Sequence, residues 1–160
     1  YQRRVRVTGK IKSISKLNLQ NIQIKQILKI PETWEMIGQN SVETHFNSCQ
    51  DVNEGLIFDL NYQYELKTND IKQWPSFSMG IFQKQKKETK LIGYADYKVP
   101  FKIGLTQMQV AICGEHTGLI NVENWVQMYN FDQAVEQYYE NAKQIEQQPD
   151  PNTSQDSKLK

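Results

Sequence analysis

The sequence predicts a mainly β chain, an antiparallel β-sandwich with an amphipathic helical appendage at its C-terminal end. Three observations carry this prediction. Apolar residues in the first part of the chain recur at every second position in short runs, the period of a strand with one buried face. Gly, Pro, Asn and Asp punctuate those runs, as in sandwiches built from short strands. Beyond Gly118 the apolar spacing lengthens to that of a helix.

Residues 3–11 alternate, with Val5, Val7 and Ile11 on one face and Arg4, Arg6, Thr8 and Lys10 on the other. A polar outer face accounts for these basic residues, together with Arg3 and Lys12, without a ligand. Ile22, Ile24 and the run 27–30 form a second strand stopped by Pro31, and the polar residues 38–55 read as a loop or a weak strand pair. From Leu56 onward, Phe58, Leu60, Tyr62, Tyr64 and Leu66 share one face at strict period two. Phe77, Met79 and Ile81 then alternate with Ser76, Ser78 and Gly80, and a polar turn leads to a second aromatic and β-branched run ending at Pro100. The last strand covers 105–112, with Met108, Val110 and Ile112 on one side, so the sandwich is expected to occupy residues 3–113.

Val122, Trp125, Val126 and Tyr129 fall at helical spacing, as do Phe131, Val135, Tyr138, Ala142 and Ile145. They predict a helical extension over 121–147, with Asn121 in the N-cap position. Pro149 and Pro151 stop the helix, and the polar residues 148–160 form a tail expected to be disordered.

Trp74-Pro75, an apolar strand, a polar turn, then Ile92-Gly93-Tyr94 and Val99-Pro100 together resemble the B9 domain, a C2-like sandwich of the Meckel-syndrome group of ciliary transition-zone proteins. Residues 5–11, with Gly9, resemble the family's opening strand. Trp34-Glu35-Met36-Ile37-Gly38 with Val42-Glu43-Thr44 is similar to its second block, and residues 58–66 to the strand before Trp-Pro. The resemblance spans roughly residues 5–110. Past Val110 the family usually continues with strand-forming sequence that closes the sandwich, where this chain is expected to turn helical. The resemblance implies a non-catalytic scaffold at the transition zone or basal body. It would lie in the cytoplasm and cytoskeleton at the base of the cilium, with other subunits of a multi-protein complex as partners.

With 160 residues, of which 38% are hydrophobic, the chain can bury one sizeable core, and a net charge of +1 supplies no global attraction to nucleic acid or membrane. Neither a nucleic-acid partner nor a small-molecule substrate is expected. No apolar run approaches the roughly 18 residues that span a bilayer, and no leader pattern opens the chain, so a soluble protein is expected. An organellar, mitochondrial destination stays open if a leader has been removed. Cys49 and Cys113 alone argue for a reducing compartment rather than a disulfide framework.

In calcium-binding C2 domains the turn after the Trp-Pro strand carries aspartates. Here it reads Gln83 to Lys90, with Gln83, Gln85 and Thr89 where acids are needed and one carboxylate among four lysines, so calcium independence is expected. Lys84, Lys86, Lys87 and Lys90 could instead meet anionic lipid headgroups or the acidic tails of tubulin, the alternative being a solvated hairpin tip. Trp125, Tyr129, Tyr138 and Tyr139 supply aromatic residues of the kind that anchor interfaces. His45, Cys49, Cys113 and His116 have the residue types of a tetrahedral zinc site, the alternative being a buried cysteine and a surface histidine. No nucleophile elbow, phosphate-binding glycine loop or Cys-His protease signature occurs, so neither a catalytic residue nor a cofactor is assigned. Two alternatives to the ciliary scaffold remain: an accessory subunit of an axonemal or organellar membrane complex, and a peripheral module binding anionic lipid through the lysine turn.

Overall fold

Alternating runs become strands where their apolar faces find a second sheet to cover them. The computed structural model describes residues 2–48, 50–51 and 55–131. Among these, the strands are β1 (Arg3–Ser15), β2 (Ile22–Lys29), β3 (Trp34–Ile37), β4 (Ser41–Glu43), β5 (Gln50–Asp51), β6 (Gly55–Thr68), β7 (Ser76–Gln85), β8 (Glu88–Lys98), β9 (Gly104–Ala111), β10 (Cys113–Gly114) and β11 (Leu119–Tyr129). All pairings are antiparallel and build two sheets, one ordered β3-β6-β1-β11-β9 with β5 added on β6, the other β10-β8-β7-β2-β4.

The inner faces carry the residues whose alternation marked the strands. Val5, Val7 and Ile11 of β1, Tyr64 and Leu66 of β6, and Ile120, Val122 and Val126 of β11 meet Ile22, Ile24 and Leu28 of β2 and Phe77, Met79 and Ile81 of β7. Burying each such side chain contributes about 1.5–3 kcal/mol. Aromatic rings bridge the sheets: Phe77 lies 5.6 Å from Tyr62 and 5.7 Å from Tyr64 between ring centroids, and within its own sheet it lies 5.1 Å from Tyr97.

Register shifts change the parity of β1. Between Ile11 and Ser13, β1 advances two residues while β11 advances one, so the buried series moves from odd positions to Ile14. Opposite the same step β6 carries one residue more than β1, with Asp59 at φ 48 in the left-handed region that Asp tolerates better than most residues. The bends let a thirteen-residue strand curl with the sandwich.

The Trp-Pro motif acts as a staple at one end. The Trp74 indole N–H donates to the Val99 carbonyl at 2.8 Å, and Val99 N–H donates to the Pro75 carbonyl at 3.1 Å. Trp34 meets Trp74 edge-on at 5.1 Å, Phe101 meets it from another side at 4.3 Å, and the Trp34 indole N–H donates to the Gln73 carbonyl. The Ile-Gly pair at 92–93 has an equally local cause. A Cβ on Gly93 would stand 2.6 Å from Ile112 Cγ2, where the chain passes from β9 in one sheet to β10 in the other.

The helix expected from Asn121 is overturned over its first part. Residues 119–129 are strand β11, hydrogen-bonded between β1 and β9. The inward series is Ile120, Val122, Asn124 and Val126, at period two, but its third member is a buried asparagine. That polar residue hides the strand period, while the outward Trp125 and Tyr129 complete a false helical stripe with Val122 and Val126. The sandwich expected to close at 113 therefore includes β11, and one compact unit spans Tyr1–Tyr129. The rest of the expected helix to 147, and the tail 148–160, lie outside the described residues.

Candidate functional site

The exposed large side chains of the sandwich lie on its outer faces, edges and loops. The least solvated polar groups are structural: Tyr62 hydroxyl donates to Asn124 Oδ1, Asn124 Nδ2 donates to the Tyr97 hydroxyl at 3.3 Å, and Tyr64 hydroxyl donates to Gln26 Oε1 at 3.0 Å. Burial pushes the Tyr62 and Tyr64 hydroxyls far above the ordinary phenol range, and neighbouring Tyr97 adds to both shifts. Burial raises Tyr97 too, opposed by hydrogen bonding with Asn124 and Tyr62. These are neutral tyrosines tying the sheets together.

The outer face of the first sheet exposes what docking would use. Trp125 on β11 stands directly opposite Leu105 on β9, each 47% exposed, with Thr8 on the other side of Trp125. Ile103, just before β9, is 65% exposed, and Tyr129 is exposed opposite Arg4. β9 ends the sheet order, so one edge of its backbone is unpaired among the described strands, and the strand carries neither charge nor proline. Trp125 and Tyr129, singled out as docking residues, are thus surface residues on a strand rather than a helix. Tyr138 and Tyr139 lie outside the described residues. Leu105 and Ile103 were missed because alternation around Met108 and Val110 marks only the buried side of β9. Asn121, expected as a helix cap, donates to Ser13 Oγ at 2.9 Å and accepts from Gln109 Nε2 at 3.0 Å in a polar ladder on this outer face.

The second sheet shows a smaller apolar patch. Phe82 points outward, unlike Phe77: its ring lies over Gly80, and Lys25 Nζ sits 5.0 Å from the ring centroid. Leu91 and Tyr94 are exposed beside it.

The lysine turn is a tight hairpin, Gln85 paired with Glu88 and Lys86 at φ 44. Its lysines have different neighbours. Lys90 is in an ion pair with Glu115 at 3.2 Å, and Lys84 Nζ lies 5.9 Å from the Phe46 ring, leaving Lys86 and Lys87 at the tip. The zinc candidates are not gathered. His45 follows β4 at one edge of the second sheet while Cys113, exposed, and His116 belong to the β10 side at the other, roughly 19 Å away by strand spacing. Cys49 lies outside the described residues, and no group of three or more metal-ligating side chains occurs among those described.

The class defined by these features is a two-sheet antiparallel β-sandwich. The chain belongs to the B9-C2 family, described as ciliary basal body-associated B9 protein, which it matches over residues 5–136. The fold is accordingly C2-like, and the family is one associated with the ciliary basal body. No curated protein matches it in sequence. Among solved structures it is similar to the human GIVD cytosolic phospholipase A2 in complex with methyl γ-linolenyl fluorophosphonate inhibitor and terbium chloride. That likeness has a TM-score of 0.54 at 10% identity, over 79% of this chain and 18% of the phospholipase, and it shows the fold alone. The chain thus matches less than a fifth of that enzyme. A structure described as a C2 domain aligns with 78% of this chain and 98% of its own length, at 10% identity and a TM-score of 0.42.

Proposed function

We propose that the chain is a non-catalytic, calcium-independent scaffold module at the base of the cilium, associating with other B9-type and transition-zone subunits against the cytoskeleton. The observation that carries this reading is the Trp125–Leu105 pair, a large aromatic and an aliphatic side chain held side by side in solvent next to the open β9 edge. Aromatic anchors of this kind dominate interface energetics, and an uncharged edge strand offers backbone donors and acceptors to a partner strand. Tyr129 extends the same face. Tyr138 and Tyr139, outside the described residues, are further docking residues in this reading.

The test is affinity purification of the tagged full-length protein from its own cells, alongside the double variant Trp125→Ala, Leu105→Ser. Recovery of B9-type and transition-zone proteins by the parent and their loss with the variant, at unchanged melting temperature, supports the reading. Recovery of axonemal or respiratory subunits instead moves the module to another assembly.

A further inference from the structure

The open edge of β9 carries a backbone ladder whose phase is set by β11. Ile112 N–H donates to the Gly118 carbonyl at 2.9 Å, and the same register runs on from Ala111 opposite Leu119 to Gly104 opposite Val126. Hydrogen-bonded pairs alternate along an antiparallel ladder, so Thr106, Met108 and Val110 turn their N–H and C=O groups toward β11. Leu105, Gln107, Gln109 and Ala111 turn theirs to the open side, and their side chains are the exposed ones of the strand.

Charge, proline or a bulge would guard such an edge, and β9 carries neither charge nor proline. Its residues also match themselves when the strand is turned about a two-fold axis at Met108. Leu105 then meets Ala111 of a second copy and Gln107 meets Gln109, apolar with apolar and amide with amide. On the core-facing side Met108 meets Met108, and Thr106 meets Val110. Moving the axis to Gln107 sets Leu105 against Gln109, so one register alone gives the match. Met108 lies opposite the buried Val122 yet is only half-buried itself, and a second copy would cover it. Charge favours the same approach: it brings the Lys102 end of one β9 to the Glu115 end of the other, and a net charge of +1 per chain opposes association little.

We infer that β9 pairs antiparallel with β9 of a second copy of this chain about a two-fold axis at Met108. The first sheets then join in the order β3-β6-β1-β11-β9-β9-β11-β1-β6-β3. The inference rests on the reading of β9 as a docking edge and names its occupant.

The experiment follows the full 160-residue chain by sedimentation equilibrium from about 1 to about 200 μM, where the apparent mass should rise from one chain toward two. Gln107→Pro removes an N–H that faces the open side and none from the ladder to β11, so it should weaken self-association at least about tenfold while the chain stays folded. Independently of that variant, Met108→Cys in a Cys49→Ser, Cys113→Ser background should form an intersubunit disulfide on mild oxidation. Non-hydrogen-bonded partners stand about 4.5 Å apart at Cα, within disulfide reach. The inference is overturned if the parent stays monomeric, if folded Gln107→Pro associates as the parent does, or if Gln107→Cys cross-links in place of Met108→Cys. A monomeric parent whose transition-zone subunits are still lost with Trp125→Ala, Leu105→Ser sinks the second copy and keeps the docking reading. A dimeric parent that captures the same subunits with and without that double variant does the reverse.

Discussion

Gly9 shows how much one residue can decide in this fold. It pairs with Tyr62 on β6, whose ring lies across it, and a Cβ there would stand 2.5 Å from Tyr62 Cζ and collide with the Glu123 carbonyl as well. Gly9→Ala should therefore cost about 3 kcal/mol through overpacking, read as a lower urea midpoint. The same tyrosine leads to a second expectation. Asn124→Ala removes the acceptor for the Tyr62 hydroxyl and the donor to the Tyr97 hydroxyl, and burying both unpaired should cost about 2–3 kcal/mol. The buried phenols also set a pH dependence. Their folded pKa values lie above the unfolded value of 10.0, so the folded chain retains protons that the unfolded chain gives up. Stability is then fully present below about pH 10 and falls as pH rises beyond it. Melting temperature followed into that alkaline range should drop steeply in the parent and less steeply in Tyr97→Phe. A flat profile in the parent would remove the three tyrosines from the account.

At the scale of elements, β11 separates what pattern reading can and cannot see. Val126 and Trp125 would share a helical stripe, yet on the strand they face opposite ways, one 0% and the other 47% exposed. Val126→Ala should cost about 2 kcal/mol, whereas Trp125→Ala should leave stability within about 0.5 kcal/mol and act on partner binding alone. Equal losses on thermal unfolding would restore the helical reading. The strands β6 and β7 were legible because their inner faces carry apolar or aromatic side chains at every second residue, and β2, β8 and β9 because apolar or aromatic runs mark them despite Gln26 inside β2 and Thr106 inside β9. β11 was not, because Asn124 occupies an inner position, and the end of β1 was not, because the register shift after Ile11 moves the buried series to Ile14. The surface was partly legible. Trp125 and Tyr129 stand out by residue type alone, but the open side of β9 follows only from its place at the end of the sheet order.

For the whole molecule the consequence of β11 is a domain limit. β11 lies between β1 and β9 in the first sheet, so removing it leaves both with an open ladder inside what should be a continuous sheet. It also removes Ile120, Val122 and Val126 from the core and deprives Tyr62 and Tyr97 of Asn124. Several kcal/mol of burial and a full strand's hydrogen bonds vanish together, a loss comparable to the roughly 5–15 kcal/mol margin by which domains of this size are held. A polypeptide of residues 2–113 should therefore fail to show a cooperative transition and should expose its unpaired β1 and β9 edges to aggregation. Residues 2–131 contain every strand described and should unfold in one cooperative step. Cooperative, monomeric unfolding of the shorter polypeptide would mean that the sandwich closes without β11, and the docking role given to Trp125 would then pass from the core domain to a separable strand.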